Sequence, residues 1–223
     1  MNRRSLARYL WYGGLHQIVR LTAVLAYRIR YTGIHNIPAK GPVLLISNHQ
    51  SHFDPPLVGM GSHRQMNYLA RDSLFRFAPF RWLCLSLGAI PLDRKGVGLG
   101  GIKESLRRLK RGEIVAMFPE GTRTRDGEIG PFHPGFTTLA VRANAAILPV
   151  AIEGAFAAWP RWQGFPRLGT IHVHYGVPIL PEEFQGRNDR ELLAEVHRRV
   201  CQCQAHVRQH PLFRRQRALR QRR

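Results

Sequence analysis

Acidic residues and cysteines are both scarce in this sequence. Among its 223 residues, 14 Asp and Glu stand against 34 Lys and Arg, so the formal net charge is +20. A surface this basic favours polyanionic partners, such as nucleic acid, anionic lipid headgroups, phosphorylated substrates or acidic carrier proteins. Three cysteines cannot form a closed disulfide framework, which predicts a reducing compartment. Cys201 and Cys203 have no second pair at zinc-site spacing, which disfavours a structural zinc site.

Long apolar runs are missing as well. The longest uncharged apolar stretches, residues 21–27 and 82–92, are well below the ~20 residues that a membrane-spanning helix needs. Residues 1–30 mix arginines with large apolar side chains, which predicts an amphipathic helical membrane-association segment, with a core-packed helix as the alternative. Residues 72–88 have the same mixture and predict either a buried helical hairpin or a lipid-facing surface.

Short apolar runs alternate with helical patterns along the chain, which indicates an α/β layer architecture. The predicted strands are Val43–Ser47, Asn67–Ala70, Ala89–Leu92, Ile114–Phe118, Ile147–Ile152 and Ile171–Tyr175. Helices are predicted from Asp54 as N-cap, over Ile102–Arg111, over Phe136–Ala145, and from a capping box at residues 188–191 onward. The predicted divisions are residues 1–30, a domain over 31–186, and a C-terminal helix with an arginine-rich tail over 187–223.

A histidine and a carboxylate follow the first apolar strand, where sites collect in open α/β sheets. A turn between His49 and Asp54 can bring the carboxylate to one imidazole nitrogen and leave the other to remove a proton. The sequence has no G-x-S-x-G motif and no cysteine near this segment, so the proton would come from a substrate hydroxyl, as in a transferase. The spacing leaves open a helix-capping role for Asp54, a core role for His49, and a metal site that includes His52.

A second polar turn ends the predicted strand Ile114–Phe118. It reads Phe118-Pro119-Glu120-Gly121-Thr122-Arg123. Its glycine admits close approach of a ligand to the backbone, and its threonine and arginine offer donors suited to phosphate. A solvated polar turn is the alternative.

The glycines of residues 96–101 satisfy the dinucleotide pattern G-x-G-x-x-G. Three residues, Asp93, Arg94 and Lys95, separate them from the preceding predicted strand, whereas a dinucleotide site needs the turn at once. A flexible loop is therefore the favoured interpretation.

Four blocks together resemble the glycerolipid acyltransferase family, which includes the bacterial 1-acylglycerol-3-phosphate acyltransferases. The first is Asn48-His49, four residues and then Asp54. The second is Gly-Ala-Ile-Pro-Leu-Asp-Arg at 88–94, the third is the turn at 118–123, and the fourth is Ile-Leu-Pro-Val-Ala-Ile at 147–152. Their order over about residues 30–180 is far more specific than any single block.

The resemblance implies a single-domain α/β acyltransferase fold with a mixed sheet flanked by helices. It also implies acyl transfer from acyl-CoA or acyl-acyl-carrier protein to the free hydroxyl of 1-acylglycerol-3-phosphate, without a metal or redox cofactor. His49 would be the general base and Asp54 its partner. The acceptor phosphate would be bound by Glu120, Gly121, Thr122, Arg123, Arg94 and Arg71. Arg71 departs from the lysine that many members have there, and arginine binds phosphate with a different geometry.

The partners implied are the acyl donor, lysophosphatidic acid and an anionic membrane surface. The expected location is the cytoplasmic face of the cell membrane, as a peripheral or monotopic protein. Another lysolipid, either a lysophospholipid or a lyso-ornithine lipid, is the closest alternative acceptor. A basic nucleic-acid-binding protein is the alternative from another class, but the sequence has no helix-turn-helix, zinc-finger or RNA-binding signature.

Overall fold

The computed structural model describes residues 27–71, 89–92 and 99–210, together with Gly14 and Arg81. Seven strands in these residues form one sheet in the order β1-β7-β6-β2-β5-β3-β4. The strands are β1 (Arg30–Thr32), β2 (Val43–Ser47), β3 (Met66–Arg71), β4 (Ala89–Leu92), β5 (Ile114–Met117), β6 (Ala146–Glu153) and β7 (His172–Tyr175).

Six α-helices and a 3₁₀ helix over Ile34–Asn36 accompany the sheet in the same part of the chain. The α-helices are α1 (Asp54–Met60), α2 (Leu99–Lys110), α3 (Gly135–Ala143), α4 (Ala155–Ala158), α5 (Pro181–Phe184) and α6 (Asp189–Gln209). No helix among the described residues is both long enough and apolar enough to cross a bilayer.

The sheet is mixed, because β6 and β7 pair antiparallel while every other neighbouring pair is parallel. Strand β2 lies between β5 and β6, and Val43 is in register with the first residues of both. The carboxyl ends of β2, β5 and β6 therefore meet at one side of the sheet, called here the carboxyl edge. A crevice at such an edge is the usual ligand site of open α/β sheets.

Both faces of the central strands are covered, as parallel strands require. Leu44 and Ile46 of β2 lie in a cluster with helices α3 and α6, on the side of Phe136 and Val196. The alternate residues of β2 lie in a second cluster on the opposite face, with residues of α1 and α4. This two-sided burial explains why β2 is apolar without interruption until Ser47.

The predicted mixed α/β architecture is confirmed, and all six predicted strands are present with small shifts at their ends. Asn188 caps α6 as predicted, since its side chain accepts from the Glu191 N–H at 2.9 Å. Strand β1 and the short helices α4 and α5 were not predicted. The predicted flexible loop over 96–101 is wrong at its end, because α2 already begins at Leu99. Residues 1–13, 15–26, 72–80, 82–88, 93–98 and 211–223 lie outside the described residues. Most of the predicted amphipathic segment, nearly all of the predicted hairpin or lipid-facing surface over 72–88, the arginine-rich tail and Arg94 therefore lie outside them as well.

Candidate active site

His49 and Asp54 are in direct contact just beyond the carboxyl end of β2. The imidazole Nδ1 lies 2.7 Å from Asp54 Oδ2, and the His49 side chain is 20% exposed while that of Asp54 is fully buried. Asp54 is the first residue of α1, whose early proline fits a helix start. The sequence spacing of five is thus bridged by a tight turn that ends in a helix.

The Asp54 carboxylate is the centre of this turn rather than a helix cap. Its Oδ2 accepts the backbone N–H of Gln50 at 2.5 Å and of Ser51 at 2.6 Å, as well as the imidazole. Phe53 stands at the N-cap position, so the predicted capping role of Asp54 is wrong. These donors compensate for burying a charge, and they fix the carboxylate against Nδ1.

The His49 ring is also held from its face. It stacks on Phe118 with ring centroids 4.5 Å apart and an interplanar angle of 25°. Because Nδ1 is engaged by Asp54, proton transfer to or from a ligand falls to Nε2. The imidazole ring is therefore oriented by Asp54 at its edge and by Phe118 at its face.

Glu120 holds the backbone of His49. Its Oε1 accepts the His49 N–H at 2.9 Å, and its Oε2 accepts the Gly130 N–H at 3.2 Å. The residue is buried, and this burial raises the pKa of the Glu120 carboxyl, while the two backbone bonds act in the opposite direction. The resemblance had assigned Glu120 to the acceptor phosphate, but the structure directs both of its oxygens to backbone donors.

The rest of the turn wraps around the same histidine. The Thr124 N–H donates to the His49 carbonyl at 2.8 Å, so His49 is bracketed on both sides by the segment after β5. Gly121 has a φ of +66°, a conformation that favours glycine, and its N–H bonds to the Phe118 carbonyl at 3.0 Å. From the sequence, only the family resemblance predicts that this turn lies near the end of β2.

The structure brings some of the predicted phosphate-binding residues to this edge. Gly121 and Thr122 are exposed and Arg123 is half-buried, directly after the residue that anchors His49. Arg71 is the last residue of β3 and pairs with Leu92, and only its backbone is described. Arg94 lies outside the described residues.

Two further side chains build the site, and their bonding partners were not predicted. The Asn48 amide bonds to both the N–H and the carbonyl of Ile152, at 2.8 and 2.9 Å, which fastens the end of β2 to β6. The Gln50 amide donates to the Gly127 carbonyl at 3.0 Å and accepts the Phe156 N–H at 3.2 Å. The bonding partners of Asn48 and Gln50 are distant in the chain, so the local sequence does not predict them.

Comparison with known proteins identifies the family. Residues 28–153 match a family model described as Acyltransferase, which is more than half of the chain. The chain belongs to this acyltransferase family. The matched region of the acyltransferase contains β1 to β6, His49, Asp54 and the turn from Phe118 to Arg123.

Several curated relatives are similar over most of the chain. It is 33% identical over 189 residues to a 1-acyl-sn-glycerol-3-phosphate acyltransferase of Pseudomonas aeruginosa, covering 82% of this chain and 69% of that protein. It is 28% identical over 179 residues to the protein of the same description from Bacillus subtilis, covering 79% and 87%. It is 30% identical over 173 residues to the chloroplastic 1-acyl-sn-glycerol-3-phosphate acyltransferase LPAT1 of Arabidopsis thaliana, covering 74% and 48%. The chain spans about half the length of the plant relatives that it matches.

The fold matches a solved acyltransferase structure. The crystal structure of the 1-acyl-sn-glycerophosphate acyltransferase PlsC from Thermotoga maritima superposes with a TM-score of 0.81 at 24% identity, covering 94% of this chain and 85% of that one. This match supports the described sheet order and helix arrangement.

Proposed function

We propose that this acyltransferase moves a fatty acyl group from a thioester donor to the free hydroxyl of 1-acylglycerol-3-phosphate. The observation that carries the proposal is the 2.7 Å contact between His49 Nδ1 and a buried carboxylate at the carboxyl edge of the sheet. A histidine held in this way is equipped to act as a general base through Nε2. The names of the bacterial relatives support the choice of acceptor.

In the proposed step, Nε2 of His49 takes the proton of the acceptor hydroxyl while the oxygen attacks the thioester carbonyl carbon. A new C–O bond forms and the C–S bond breaks. The imidazolium then returns the proton to the departing sulfur, which leaves as a thiol. Asp54 keeps the imidazole in the required tautomer and stabilises its charged form. General-base assistance of this kind is worth about 10²–10⁴-fold in rate.

For the acceptor phosphate we infer a site at the turn after β5. Gly121 and Thr122 are exposed and Arg123 is half-buried beside the anchored histidine, and a guanidinium suits bidentate phosphate contact. Arg71 and Arg94 are further candidates from the sequence. Glu120 is assigned a positioning role, because both of its oxygens are used by backbone donors and its charge would repel phosphate.

The proposed place of action is an anionic membrane surface, on its cytoplasmic face. The acceptor is amphiphilic, so the site must open where lipid is presented. The net charge of +20 favours such a surface. The acyl donor, acyl-CoA or acyl-acyl-carrier protein, is the co-substrate, and the proposed reaction needs no resident cofactor because the thioester already carries an activated acyl carbon.

The proposal is tested with a panel of donors and acceptors. Thiol release is measured from acyl-CoA and from acyl-acyl-carrier protein, with lysophosphatidic acid, a lysophospholipid or a lyso-ornithine lipid as acceptor, and the lipid product is identified. We expect phosphatidic acid as the main product and its loss in the His49→Ala variant. Faster turnover of another lysolipid would reassign the acceptor. Thiol release that persists in His49→Ala would overturn the assigned chemistry.

A further inference from the structure

The loop from residue 159 to residue 170, called here the β6–β7 loop, exposes three large apolar side chains. Trp162 is 63% exposed, Phe165 is 84% exposed and Leu168 is 79% exposed. The Trp162 ring meets Phe156 edge-on, with centroids 5.5 Å apart, and still leaves most of its surface open. A cluster of such residues on one short loop is unusual for a surface that faces only water.

The β6–β7 loop is a built structure. Its ends are closed by the Arg167 N–H, which donates to the Ala158 carbonyl at 2.7 Å. Inside it, Trp159 Nε1 donates to the Gln163 carbonyl at 2.8 Å, and the Gln163 amide donates to the Phe165 carbonyl. Compact loops closed in this way are frequently functional. These bonds constrain the backbone of the loop that carries the three exposed apolar side chains.

The loop is attached to the active site. The Ser51 hydroxyl donates to the Trp159 carbonyl at 2.8 Å, and the Trp159 ring contacts the rings of His52 and Phe53 at centroid distances of 4.9 and 4.8 Å. These three partners lie between His49 and Asp54 in the sequence. The β6–β7 loop thus stands at the carboxyl edge of the sheet, on the same side as the proposed base.

The charge of the loop narrows the choice of partner. Arg161 directly precedes Trp162, Arg167 lies between Phe165 and Leu168, and both arginines are exposed. No acidic residue occurs between Glu153 and Glu182. Exposed tryptophan, phenylalanine and leucine together with arginines are the combination that inserts into the headgroup region of an anionic bilayer.

We propose that the β6–β7 loop inserts Trp162, Phe165 and Leu168 into the surface of an anionic bilayer, with Arg161 and Arg167 among the headgroups. This insertion brings the carboxyl edge, and with it His49, to the level at which the hydroxyl of a membrane-bound acceptor lies. The inference rests on the proposed function for its purpose, while the insertion itself is tested without substrate.

The first experiment compares two matched triple variants of the full chain. The loop variant combines Trp162→Ala, Phe165→Ala and Leu168→Ala. The control combines Val141→Ala, Val177→Ala and Leu180→Ala, which are also exposed. Val141 precedes the start of β6, and the segment after β7 bonds to Pro149 and Ile147. The control residues therefore lie away from the β6–β7 loop, which follows the other end of β6. Circular dichroism checks that both variants are folded.

Binding is measured by flotation with vesicles of phosphatidylcholine alone and of phosphatidylcholine with phosphatidylglycerol. We expect the loop variant to bind the anionic vesicles about tenfold or more weakly than the parent protein, because the burial of three large apolar side chains is lost. The control variant is expected to bind like the parent. Equal affinity of loop variant and parent would overturn the proposal.

The second experiment follows the inserted residue itself. Brominated lipids quench tryptophan fluorescence at membrane depth, and the chain has four tryptophans. The Trp162→Phe variant keeps an apolar ring but loses this one fluorophore. We expect brominated anionic vesicles to quench the parent more than Trp162→Phe. Equal fractional quenching would show that Trp162 stays outside the bilayer, even if another segment binds the vesicle.

Further outcomes distinguish other partners and the proposed function. Loss of binding to acyl carrier protein with unchanged vesicle binding would identify a protein docking site instead. A dimer in light scattering that only the loop variant dissociates would identify a self-association surface. Loop-dependent vesicle binding by a protein that acylates no lysolipid would leave this inference standing while the proposed function fails. In the expected case, the loop variant keeps the turnover of the parent on acceptor dispersed in detergent.

Discussion

The backbone N–H of His49 donates a hydrogen bond of 2.9 Å to Oε1 of Glu120, a residue 71 positions later in the chain. The other carboxylate oxygen of Glu120, Oε2, accepts the backbone N–H of Gly130. A buried carboxylate between two backbone donors fixes the position of the peptide from which the imidazole projects. We therefore expect Glu120 to act on the reaction through the position of His49.

The Glu120→Gln variant tests this positioning role. Glutamine keeps one carbonyl oxygen for one N–H, but its amide group would face the other N–H with a second donor. We expect kcat to fall by about tenfold or more while the KM for lysophosphatidic acid changes little, since misplacement of a base acts on the chemical step. Steady-state kinetics over a range of acceptor concentration measures the two constants.

The exposed Glu182, at the start of α5, supplies the matched control as Glu182→Gln, which should behave like the parent protein. A Glu120→Gln protein with normal kcat and a raised acceptor KM would instead support direct phosphate contact, as the family resemblance had predicted.

The His49→Ala variant is expected to lose nearly all turnover while remaining folded. Without the imidazole the acceptor hydroxyl is a weak nucleophile, and general-base assistance is worth about 10²–10⁴-fold. His63 is exposed in the turn after α1, so His63→Ala serves as the control. Thiol release and circular dichroism are measured for both. A folded His49→Ala protein with the rate of His63→Ala would refute the catalytic assignment.

Asparagine and alanine at position 54 separate catalysis from stability. Asp54→Asn retains an oxygen for the Gln50 and Ser51 N–H groups but presents a neutral amide to His49, so activity should fall by about 10²-fold or more with modest loss of stability. Asp54→Ala should also destabilise the fold by about 1–3 kcal/mol for each backbone N–H left without an acceptor. Urea unfolding and rate assays compare both with the exposed Asp189→Asn as control. Full activity in folded Asp54→Asn would remove Asp54 from the mechanism.

Arg123→Lys should raise the KM for lysophosphatidic acid more than the KM for the thioester. Lysine retains the charge but cannot make a bidentate phosphate contact. Arg142, exposed on α3 before β6, gives the control variant Arg142→Lys. An effect on the thioester KM alone would move Arg123 to the donor site.

A cluster of histidines beside the edge strand β1 predicts that the fold loses stability in acid. His172 and His174 of β7 both lie near the Thr32 hydroxyl, at 2.8 and 2.9 Å. Burial, together with a smaller contribution from neighbouring positive charge, lowers the pKa of each to about 4. The charged or titratable groups around them are Arg30 from β1, His35 from the 3₁₀ helix, Glu153 from β6, His206 from α6, and His210 directly after α6.

The direction of the pH effect follows from these pKa values. The folded protein binds protons on His172 and His174 less readily than the unfolded chain, whose histidines titrate near 6.5. Their contribution to stability is complete above that pH and is lost as the pH falls from about 6.5 towards 4. We expect the thermal midpoint to drop between pH 7 and pH 5, and to drop less in a His172→Gln, His174→Gln double variant. An equal drop in the double variant would assign the acid sensitivity to other groups.

Local chemistry explains which parts of the fold the sequence predicted. Strand β2 is apolar because both of its faces are buried, and α6 begins where Asn188 supplies a cap, so each could be read from neighbouring residues. Strand β1 has three residues and no apolar run, and it exists because it pairs with β7, 142 positions away. That pairing depends on tertiary structure, which a local pattern does not contain.

The same distinction holds for the candidate site. The proximity of His49 and Asp54 follows from a short turn and was predicted, and the structure confirms their contact. The direction of the Glu120 carboxylate was not predictable, because its partners are the N–H groups of a distant turn and of Gly130. The stacking of Phe118 on His49 likewise depends on the adjacency of β2 and β5.

The central place of β2 sets the order in which the protein can become active during its synthesis. Asn48 is fastened to Ile152, 104 positions later, and the backbone of His49 is bracketed by Glu120 and Thr124. Contacts between residues so far apart form slowly, because long loops must close first. A nascent chain therefore carries its histidine and aspartate early, but their surroundings are complete only once β6 has been made and has joined the sheet.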